Sequence, residues 1–424
     1  MGSLANDMLN SRNGSKNGKI LIIVENLSVP FDRRVWAESL ALTEAGYKVS
    51  VICPNGQNSE LKEIIDGVSI YRYPAPIESA GVIGYIKEFA YSLLAAFRLS
   101  LVVRRHEGFD AIQVCNPPDI LFLIGLFHKV FGRKKIVFDH HDLSPELFSL
   151  KFDPDKKSFA YKMLLWLERR TFKAADMVIS TNESFKQIAM IRGGKPVNSV
   201  FVVRNGPDLR KFTPCAPNAD LKFGKEYMVC YVGVMATQDG IDYLLRAINH
   251  VVNTRGRTDV AFVLIGSGDI LDELKQLAVE LGIADYVVFT GRINDDKQLA
   301  TYISTSDICV APDPKNDLND NCTLIKIAEY MAIGKPVVSF DLKESRYTAK
   351  EAALYAENND CTDFGEKIIQ LLDSPAIREK MGAFGRRRIV ESLSWDNSKC
   401  ALLHAYGILF GVDNDSPVIA EGYQ

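Results

Sequence analysis

The sequence predicts an α/β fold with two domains, each built around a doubly wound parallel sheet. A chain of 424 residues with 47% hydrophobic content is long enough for two cores, whereas a single core of that size is unusual. In both halves, short runs rich in β-branched residues alternate with segments of helical periodicity. This alternation is typical of parallel strands joined by crossover helices.

The first half opens with a strand–helix–strand unit at 19–24, 34–45 and 48–53, and Gly46 ends its helix. Later strands are predicted from β-branched runs at 69–73, 111–114, 135–139, 177–180 and 200–204. Helices are predicted between them at 83–104, 119–131, 156–173 and 183–192. These elements assign 19–205 to a first domain.

A segment rich in Pro, Gly and charge at 206–226 predicts an interdomain linker. The second domain, 227–393, repeats the pattern with strands at 228–233, 260–265, 286–290, 308–311 and 336–339. Its helices are predicted at 241–253, 270–281, 297–304, 324–332, 362–373 and 377–392. A last helix follows from 394, within the C-terminal segment 394–424.

Composition excludes several classes of protein. The net charge of -3 provides no basic field for nucleic acid, so we expect no nucleic-acid partner. The eight cysteines are dispersed without a C-x-x-C pair, which indicates reduced thiols in a cytosolic protein. Residues 1–18 lack an apolar core and are rich in Ser, Asn and Gly, which predicts a disordered leader. We therefore expect a cytoplasmic location.

The most apolar stretch lies at 82–103 and is interrupted by Lys87, Glu88 and Arg98. These charges argue against a bilayer span and favour a long amphipathic helix. Such a helix either packs on the first sheet or lies at an anionic membrane interface. Peripheral membrane contact is therefore an alternative to core packing.

The most informative segment runs from Asn321 to Phe340, where a polar loop leads into a short helix, a glycine and a buried strand. Lys326 and Glu329 are three residues apart, so they share one face of that helix. A carboxylate suits ribose hydroxyls, and an ammonium near a helix start suits phosphate. A surface salt pair is the alternative, but the helix begins where open α/β sheets bind ligands. Asn321 to Thr323 offer caps for its first turn.

Together these features resemble the retaining family-4 glycosyltransferases of the GT-B fold, over roughly Lys19 to Phe410. The matching motifs are His141-Asp142, Asn205-Gly206, Gly233 to Gly240, Ala328 to Val338 and Ser394-Trp395. The resemblance implies two Rossmann-like domains facing each other across a cleft, with the last helix packed back on the first domain. It also implies that the second domain binds a nucleotide sugar and the first an acceptor.

Three positions depart from the family pattern. Asn321 stands where many members have the first of two glutamates, so contact with the donor sugar is altered. Val234 and Asp239 replace an Arg and a Lys that bind pyrophosphate in many members. Because charge-assisted contacts contribute about 1.5 to 3 kcal/mol each, other cations are needed, and we expect Lys326 and Arg292 to supply them.

The remaining candidate residues are assigned from position. Thr323, Leu324 and the glycines Gly233 and Gly266 are expected to contact the donor through the loops and helix start at the sheet edge. His141 matches the family histidine near sugar and acceptor, with a local structural role as its alternative.

Three further residues are candidates for the acceptor side. Arg33 and Arg34 begin a helix, and the dipole at a helix start disfavours cations. We therefore expect the two arginines either to bind a phosphate or to form a salt bridge with Asp32 or Glu38. Glu146 either binds acceptor hydroxyls or caps a helix. No metal is expected, because neighbouring strand residues at 139–142 point to opposite faces.

The sequence therefore predicts a hexosyltransferase-type enzyme that moves a sugar, most simply from a UDP-sugar, to an acceptor hydroxyl without a cofactor. The acceptor is a glycan, a lipid-linked sugar or a small molecule. Two alternatives stay open: a nucleotide-sugar epimerase of the same fold, and a non-catalytic partner subunit. The lost cations at Val234 and Asp239 favour the partner subunit.

Overall fold

The computed structural model describes residues 18–56, 60–76 and 81–411. Nearly all of the predicted leader and the last thirteen residues of the C-terminal segment lie outside the described residues. The first domain contains eight strands in the order β3-β4-β2-β1-β5-β6-β7-β8. In chain order these strands are Lys19–Ile23, Lys48–Pro54, Lys62–Ile65, Val68–Tyr73, Ala111–Cys115, Lys135–His140, Met177–Ser180 and Val200–Val202. Its helices α1 to α6 are Arg33–Glu44, Gly81–His106, Phe122–Gly132, Ser144–Phe152, Phe159–Ala174 and Glu183–Ile191.

The second domain contains six parallel strands in the order β11-β10-β9-β12-β13-β14. These strands, β9 to β14, are Tyr227–Val232, Val260–Ile265, Val287–Gly291, Ile308–Ala311, Val337–Phe340 and Ala353–Ala356. Helices α7 to α13 are Ile241–Asn249, Leu271–Glu280, Asp296–Thr305, Ile325–Ala332, Lys343–Ala349, Cys361–Leu372 and Pro375–Arg388. Helix α14, Trp395–Phe410, completes the described chain.

The central strands form because their residues are apolar on both faces, as parallel strands covered by helices require. Every residue of β10 and β12 is buried, and β1 is buried after Lys19. Both sheets reverse their strand order once, between β1 and β5 in the first and between β9 and β12 in the second. Loops at the carboxyl ends of these strands are the expected place for a ligand. The predicted two-domain α/β architecture is confirmed.

The first sheet is not wholly parallel, contrary to the prediction. β3 pairs antiparallel with β4, and Asp66 and Gly67 form the turn between Ile65 and Val68 with positive φ angles. An Asp-Gly pair between two short apolar runs is a strong hairpin signal that periodicity alone does not reveal. Strand β14 and helices α4 and α11 were also missed. Elements of four to nine residues carry few periods, so only some of them, such as β7 and α6, were recognised.

The chain returns to the first domain through α14. Leu402, Ala405, Tyr406 and Leu409 of this helix pack in the same core as β1 and β2. At its start, a Cβ at Gly206 would lie 2.5 Å from the Leu393 carbonyl oxygen, so the linker passes close beneath the helix. Within the described residues, no helix combines the length and apolar character needed to cross a bilayer.

The two domains also contact each other directly along one edge of the cleft. Asn182 Nδ2 donates to the Asn321 carbonyl oxygen at 2.8 Å, and Ser184 Oγ donates to Glu344 Oε1 at 2.6 Å. Beside these bonds, Leu143 and Phe185 of the first domain pack against Leu318 of the second. This edge holds the polar loop of the second domain against the first domain.

Candidate active site in the interdomain cleft

Helix α10 carries the two side chains that the sequence singled out. It begins at Ile325, after Leu324 with an extended backbone (ψ 98°), and no side chain caps its start. The prediction that the segment before the helix caps it is therefore wrong, because the Thr323 hydroxyl instead accepts a hydrogen bond from Asn182 Nδ2 at 3.0 Å. Lys326 and Glu329 nevertheless lie on one side of the helix, toward the cleft, and each contacts a different loop.

Lys326 lies at the point where the second sheet reverses. Its Nζ is 2.9 Å from both carboxylate oxygens of Asp313, which follows β12, and 3.6 Å from Asp239 Oδ1, in the loop after β9. It also lies 4.9 Å from the Tyr231 ring centroid. We call Asp239, Asp313 and Lys326 the second-domain triad. With both acids ionised, the triad carries one more negative charge than positive.

Burial determines the protonation behaviour of the triad. It raises the pKa of Asp239 to about 6, although Lys326 opposes the shift, and it raises the pKa of Asp313 against the same cation. Burial alone would lower the pKa of Lys326, but the attraction of Asp313, Tyr231 and Asp239 outweighs it. The lysine is therefore a permanent cation, and Asp239 is the member of the triad that gains a proton near pH 6.

Glu329 faces the first domain. Its carboxylate is buried, and Arg33 Nη1, from the start of α1, lies 3.4 Å from Oε1. Arg33 Nη2 also lies 3.9 Å from Asp296 of α9. Burial raises the pKa of Glu329 to about 7, while Arg33 lowers it and Asp296 raises it further. Arg33 thus joins the acidic side of the second domain to the first domain across the cleft.

The glycine loop after β9 lies against the end of β10. A Cβ at Gly266 would lie 1.8 Å from the Gly233 carbonyl oxygen, and Gly266 has a φ of +151°. Only glycine fits both constraints at this position. The sequence had placed these glycines beside a nucleotide, and the structure shows that Gly266 permits the backbone approach that shapes the Gly233 loop. A Cβ at Gly233 would lie 3.4 Å from Lys326 Cε, so this loop borders the triad.

Asn321 precedes α10 along the chain, and Arg292 follows β11. Asn321 Nδ2 donates to the Asp317 carbonyl oxygen at 2.8 Å, so this side chain supports its own loop. Arg292, after β11, is exposed and stacks on Phe31 of the first domain, with Cζ 4.8 Å from the ring centroid. Arg292 therefore reaches the cleft, as the sequence placed it, but at the edge that Arg33 also occupies.

The first domain contributes a buried polar network at the carboxyl ends of β5 and β6. Asp139 Oδ2 lies 2.5 Å from His141 Nε2, and Asp139 Oδ1 lies 2.7 Å from Arg34 Nη2. Arg34 also lies 3.0 Å from Glu38 Oε1, and Gln113 Nε2 donates to both Asp139 and Glu38. We call these five residues the first-domain network.

Two cations control the central carboxylate of the network. Burial alone would raise the pKa of Asp139, but Arg34 and His141 outweigh it and hold the pKa below its usual range. Burial opposes protonation of His141, yet Asp139 raises the pKa of the imidazole. Asp139 therefore fixes the ring of His141 at the cleft, and neighbouring His140 points away among Phe138, Phe172 and Phe185.

Among the described residues, one group of potential metal ligands overlaps this network. Cys115, Asp139 and His141 place ligand atoms within 4.8 Å of one another. No third ligand was predicted from the sequence, because Cys115 lies on the neighbouring strand β5. The Arg34 guanidinium already binds the same carboxylate, and burial raises the pKa of the Cys115 thiol well above its usual value. This donor set suits a hydrogen-bonded network better than a divalent cation.

Two of the predicted acceptor residues lie in internal ion pairs. Arg34 is buried and donates to Asn205 Oδ1 at 2.6 Å besides its bonds to acids, so its structural alternative, the pair with Glu38, is present. Glu146, in the first turn of α4, is bound by Arg192 Nη1 at 2.5 Å. Arg33 is the predicted acceptor-side cation that stays largely exposed.

Several residues that shape the site were missed by sequence reasoning. Gln113 and Asn182 reach the site from β5 and the start of α6, and the Tyr406 hydroxyl of α14 donates to Gln113 Oε1. No local motif marks these positions, because each residue reaches the site only through the strands or helices that lie beside its own in the fold. The bond between Lys326 and Asp313 was not predicted from the sequence either.

Two doubly wound domains that face each other across polar loops, with the last helix returned to the first, define a GT-B protein. The family model for Glycosyltransferase Family 4 matches residues 32–211, and the model for Glycosyl transferases group 1 matches 226–374. The chain belongs to the family-4 glycosyltransferases, as the sequence motifs predicted.

Known proteins support this placement. A D-inositol 3-phosphate glycosyltransferase from Thermomonospora curvata is 31% identical over 260 residues, which cover 56% of this chain and 58% of that protein. The chain covers less than two thirds of the length of the curated relatives that it matches. A sucrose-phosphate synthase from Thermosynechococcus elongatus has a TM-score of 0.77 at 19% identity and covers 93% of this chain and all of its own. Anabaena HepE, in complex with UDP and glucose, has a TM-score of 0.68 at 15% identity, covering 92% of this chain and 100% of its own. These structural matches establish the fold.

Proposed function

We propose that this protein is a retaining hexosyltransferase that moves a sugar from a nucleoside diphosphate, with UDP-sugar as the first choice, to an acceptor hydroxyl in glycan or glycoconjugate synthesis. The observation that carries the proposal is the placement of Lys326 and Glu329 on one side of α10 at the sheet reversal, opposite the first-domain network. Relatives named as glycosyltransferases support the reaction class, and the UDP complexes of Anabaena HepE support the choice of nucleotide.

The donor would lie mainly on the second domain. Glu329 accepts hydrogen bonds from ribose hydroxyls, in place of its contact with Arg33. The backbone after Gly233, together with Lys326, faces the diphosphate, where negative charge grows as the sugar–phosphate bond breaks. Arg33 and Arg292 are exposed cations at the same cleft and supply further positive charge. We expect these cations to serve instead of a bound metal.

The acceptor would lie against the first domain beside His141. The bond from the sugar anomeric carbon to the leaving phosphate oxygen breaks, and a bond to the acceptor oxygen forms on the same face. The acceptor proton passes to the leaving phosphate oxygen, so no dedicated base is needed. His141, held by Asp139, orients the sugar or the acceptor, and closure of the two domains excludes water.

A ligand panel tests the donor site first. Thermal unfolding is measured with UDP, GDP, ADP and dTDP, since a ligand at one hundred times its dissociation constant adds about 2.7 kcal/mol of stability. We expect UDP to give the largest shift and Glu329→Ala to abolish most of it. If none of the four nucleotides stabilises the wild type, the donor site is wrong and the partner-subunit alternative gains support.

Product analysis then tests the reaction. With UDP-sugars but no acceptor, we expect slow donor hydrolysis that EDTA does not reduce, and added glycan or lipid-linked acceptors should increase UDP release. A converted nucleotide sugar in the absence of acceptor would instead identify an epimerase. Retention is read from the anomeric configuration of the glycosidic product by NMR, and an inverted product would contradict the proposed mechanism.

A further inference from the structure

Three helices of the first domain lie side by side and share an outer surface. Phe97 of α2 and Phe127 of α3 have ring centroids 4.9 Å apart, and Ser100 Oγ lies 2.8 Å from His128 Nε2. Lys129 Nζ of α3 donates to the Ala174 carbonyl oxygen, at the end of α5, at 3.1 Å. The inner sides of these helices pack on the sheet. We call their outer surface the α2–α3–α5 face.

This face exposes many large apolar side chains. Phe159 is 82% exposed, Leu94 is 69% exposed and Phe131 is 68% exposed. The twelve exposed large apolar residues on the three helices are Ile86, Tyr91, Leu94, Leu101, Val102, Leu123, Leu126, Val130, Phe131, Phe159, Met163 and Trp166. The whole second domain, 227–393, has five, namely Val234, Val279, Ile325, Ile377 and Val390. The apolar surface is thus concentrated on one side of one domain, as at interaction sites.

The exposed charges on the face all have one sign. Seven cations of the three helices are exposed, namely Lys87, Arg98, Arg105, Lys162, Arg169, Arg170 and Lys173. These helices contain two acids, Glu88 and Glu168. The charge of Glu88 raises the pKa of the buried Glu25, and Glu168 is buried beside Arg192. Among the described side chains of α2, α3 and α5, no acid is exposed. This pattern contrasts with the net negative charge of the chain.

The cations and apolar residues share the same sides of α2 and α5. At about 100° per residue, Lys87, Leu94, Arg98, Leu101 and Arg105 fall within roughly 40° of one line along α2. Along α5, Phe159, Lys162, Trp166, Arg170 and Lys173 do the same within a similar angle. The Arg170 guanidinium lies 5.0 Å from the Trp166 ring centroid. Aromatic rings beside cations are typical of surfaces that meet the headgroup region of a bilayer.

We propose that the α2–α3–α5 face binds the surface of an anionic lipid bilayer. The exposed apolar side chains enter the boundary of headgroups and acyl chains, and the seven cations contact anionic headgroups. A second copy of the chain is a poorer occupant, because a two-fold contact would place seven cations against seven cations. The proposal concerns a surface separate from the cleft, so it stands or fails independently of the transferase reaction.

Vesicle co-sedimentation at low salt tests the proposal with the full chain. We expect binding to vesicles of phosphatidylcholine mixed with phosphatidylglycerol, weak binding to phosphatidylcholine alone, and loss of binding at high salt. Arg98→Gln with Arg170→Gln should weaken binding by roughly fivefold per cation. Leu94→Ser with Trp166→Ser should weaken binding to the same vesicles at low salt. The matched control, Lys275→Gln with Val279→Ser on exposed positions of α8, should bind like the wild type.

Tryptophan fluorescence locates the contact. Of the three tryptophans, Trp166 is exposed, whereas Trp36 and Trp395 are partly buried. Anionic vesicles should shift the emission to shorter wavelength, and Trp166→Phe should remove the shift while binding remains. Absence of binding by the wild type, equal binding to both vesicle types, or equal weakening by the α8 control would overturn the proposal. Concentration-dependent dimerisation that the face variants abolish would assign the face to a second copy instead.

Discussion

The two sides of the cleft hold ionisable groups in opposite balance. In the first-domain network, Asp139 lies between Arg34 and His141, and its pKa is held below the usual range. In the second-domain triad, Lys326 lies between two carboxylates, and burial raises the pKa of Asp239 to about 6. A carboxylate surrounded by cations keeps its charge, whereas a lysine surrounded by carboxylates leaves an excess negative charge. The charge of Asp139 on the first-domain side is therefore fixed, whereas Asp239 on the second-domain side gains a proton near pH 6.

The largest expected effect tests the fixed charge of Asp139 in the first-domain network. Asp139→Ala leaves Arg34 buried with only Glu38 as an ionic partner, so we expect the free energy of unfolding to fall by about 3–5 kcal/mol. Denaturant unfolding measures the loss. Asp272→Ala, which removes an exposed acid on α8, is the control and should change stability by less than about 0.5 kcal/mol. A loss below about 1 kcal/mol for Asp139→Ala would mean that Glu38 replaces it and that the network is adaptable.

The next effect tests the cation of the triad. Lys326→Ala should lower turnover by on the order of a hundredfold, because charge on the departing diphosphate loses a preorganised cation. Glu329→Ala should instead mainly raise the donor KM, since ribose hydroxyls gain no charge in the transition state. Lys367→Ala removes another ion-paired lysine, on α12, and serves as the control. Wild-type turnover in Lys326→Ala would transfer the role to Arg33 or Arg292.

A third effect concerns Glu329 and pH. Its pKa rises from 4.5 in ordinary surroundings to about 7 in the folded protein, mainly through burial. The folded protein keeps a proton that the unfolded chain loses, so this residue's contribution to stability falls as pH rises from about 4.5 to 7. Glu329→Gln cannot lose a proton and should lack this decline, which amounts to roughly 2–3 kcal/mol. Unfolding curves of both proteins across this range measure it, and parallel curves would contradict the shift.

The smallest expected effect concerns the charge of Asp239 in the second-domain triad. Asp239→Asn removes the excess negative charge of the triad, so we expect UDP affinity at pH 8 to rise by on the order of tenfold. In the wild type, affinity should rise as pH falls through about 6, because protonation of Asp239 removes the same charge. The UDP affinity of Asp239→Asn should change less with pH, and titration calorimetry across this pH range measures it. An unchanged affinity and pH profile would place the diphosphate away from the triad.

Much of the fold followed from periodicity. The long alternating segments were predicted with ends shifted by up to four residues, and the buried strands at 177–180, 260–265 and 308–311 were predicted with their observed bounds. Errors fell on short elements: the β3–β4 hairpin, whose Asp66-Gly67 turn was overlooked, and helices α4 and α11. Helix ends were also misplaced where the final turn becomes a π-helix, as at His250–Thr254. The spacing of apolar residues along the sequence does not distinguish a π-helical turn from an α-helical one.

Within the candidate site, neighbours along the chain were predictable and neighbours across the fold were not. The three-residue spacing of Lys326 and Glu329 was enough to place them on one side of a helix, because helical geometry is fixed by local sequence. Their partners Asp313 and Asp239 come from two other loops of the second domain, and Arg33 comes from the start of α1 in the first domain. The sequence suggested that Lys326 replaces missing cations, but only the fold showed that two acids already share it.

The family and the two-domain architecture followed from the sequence alone, since motifs and hydrophobic periods are local properties of the chain, and the nucleotide site at α10 stays a prediction. The tertiary structure decided which charges meet: Asp139 with two cations, and Lys326 with two acids. It also brought the apolar and basic sides of α2, α3 and α5 together on one face. The physical reason is that burial and Coulomb interaction depend on distance in space, which strand order sets and sequence separation does not.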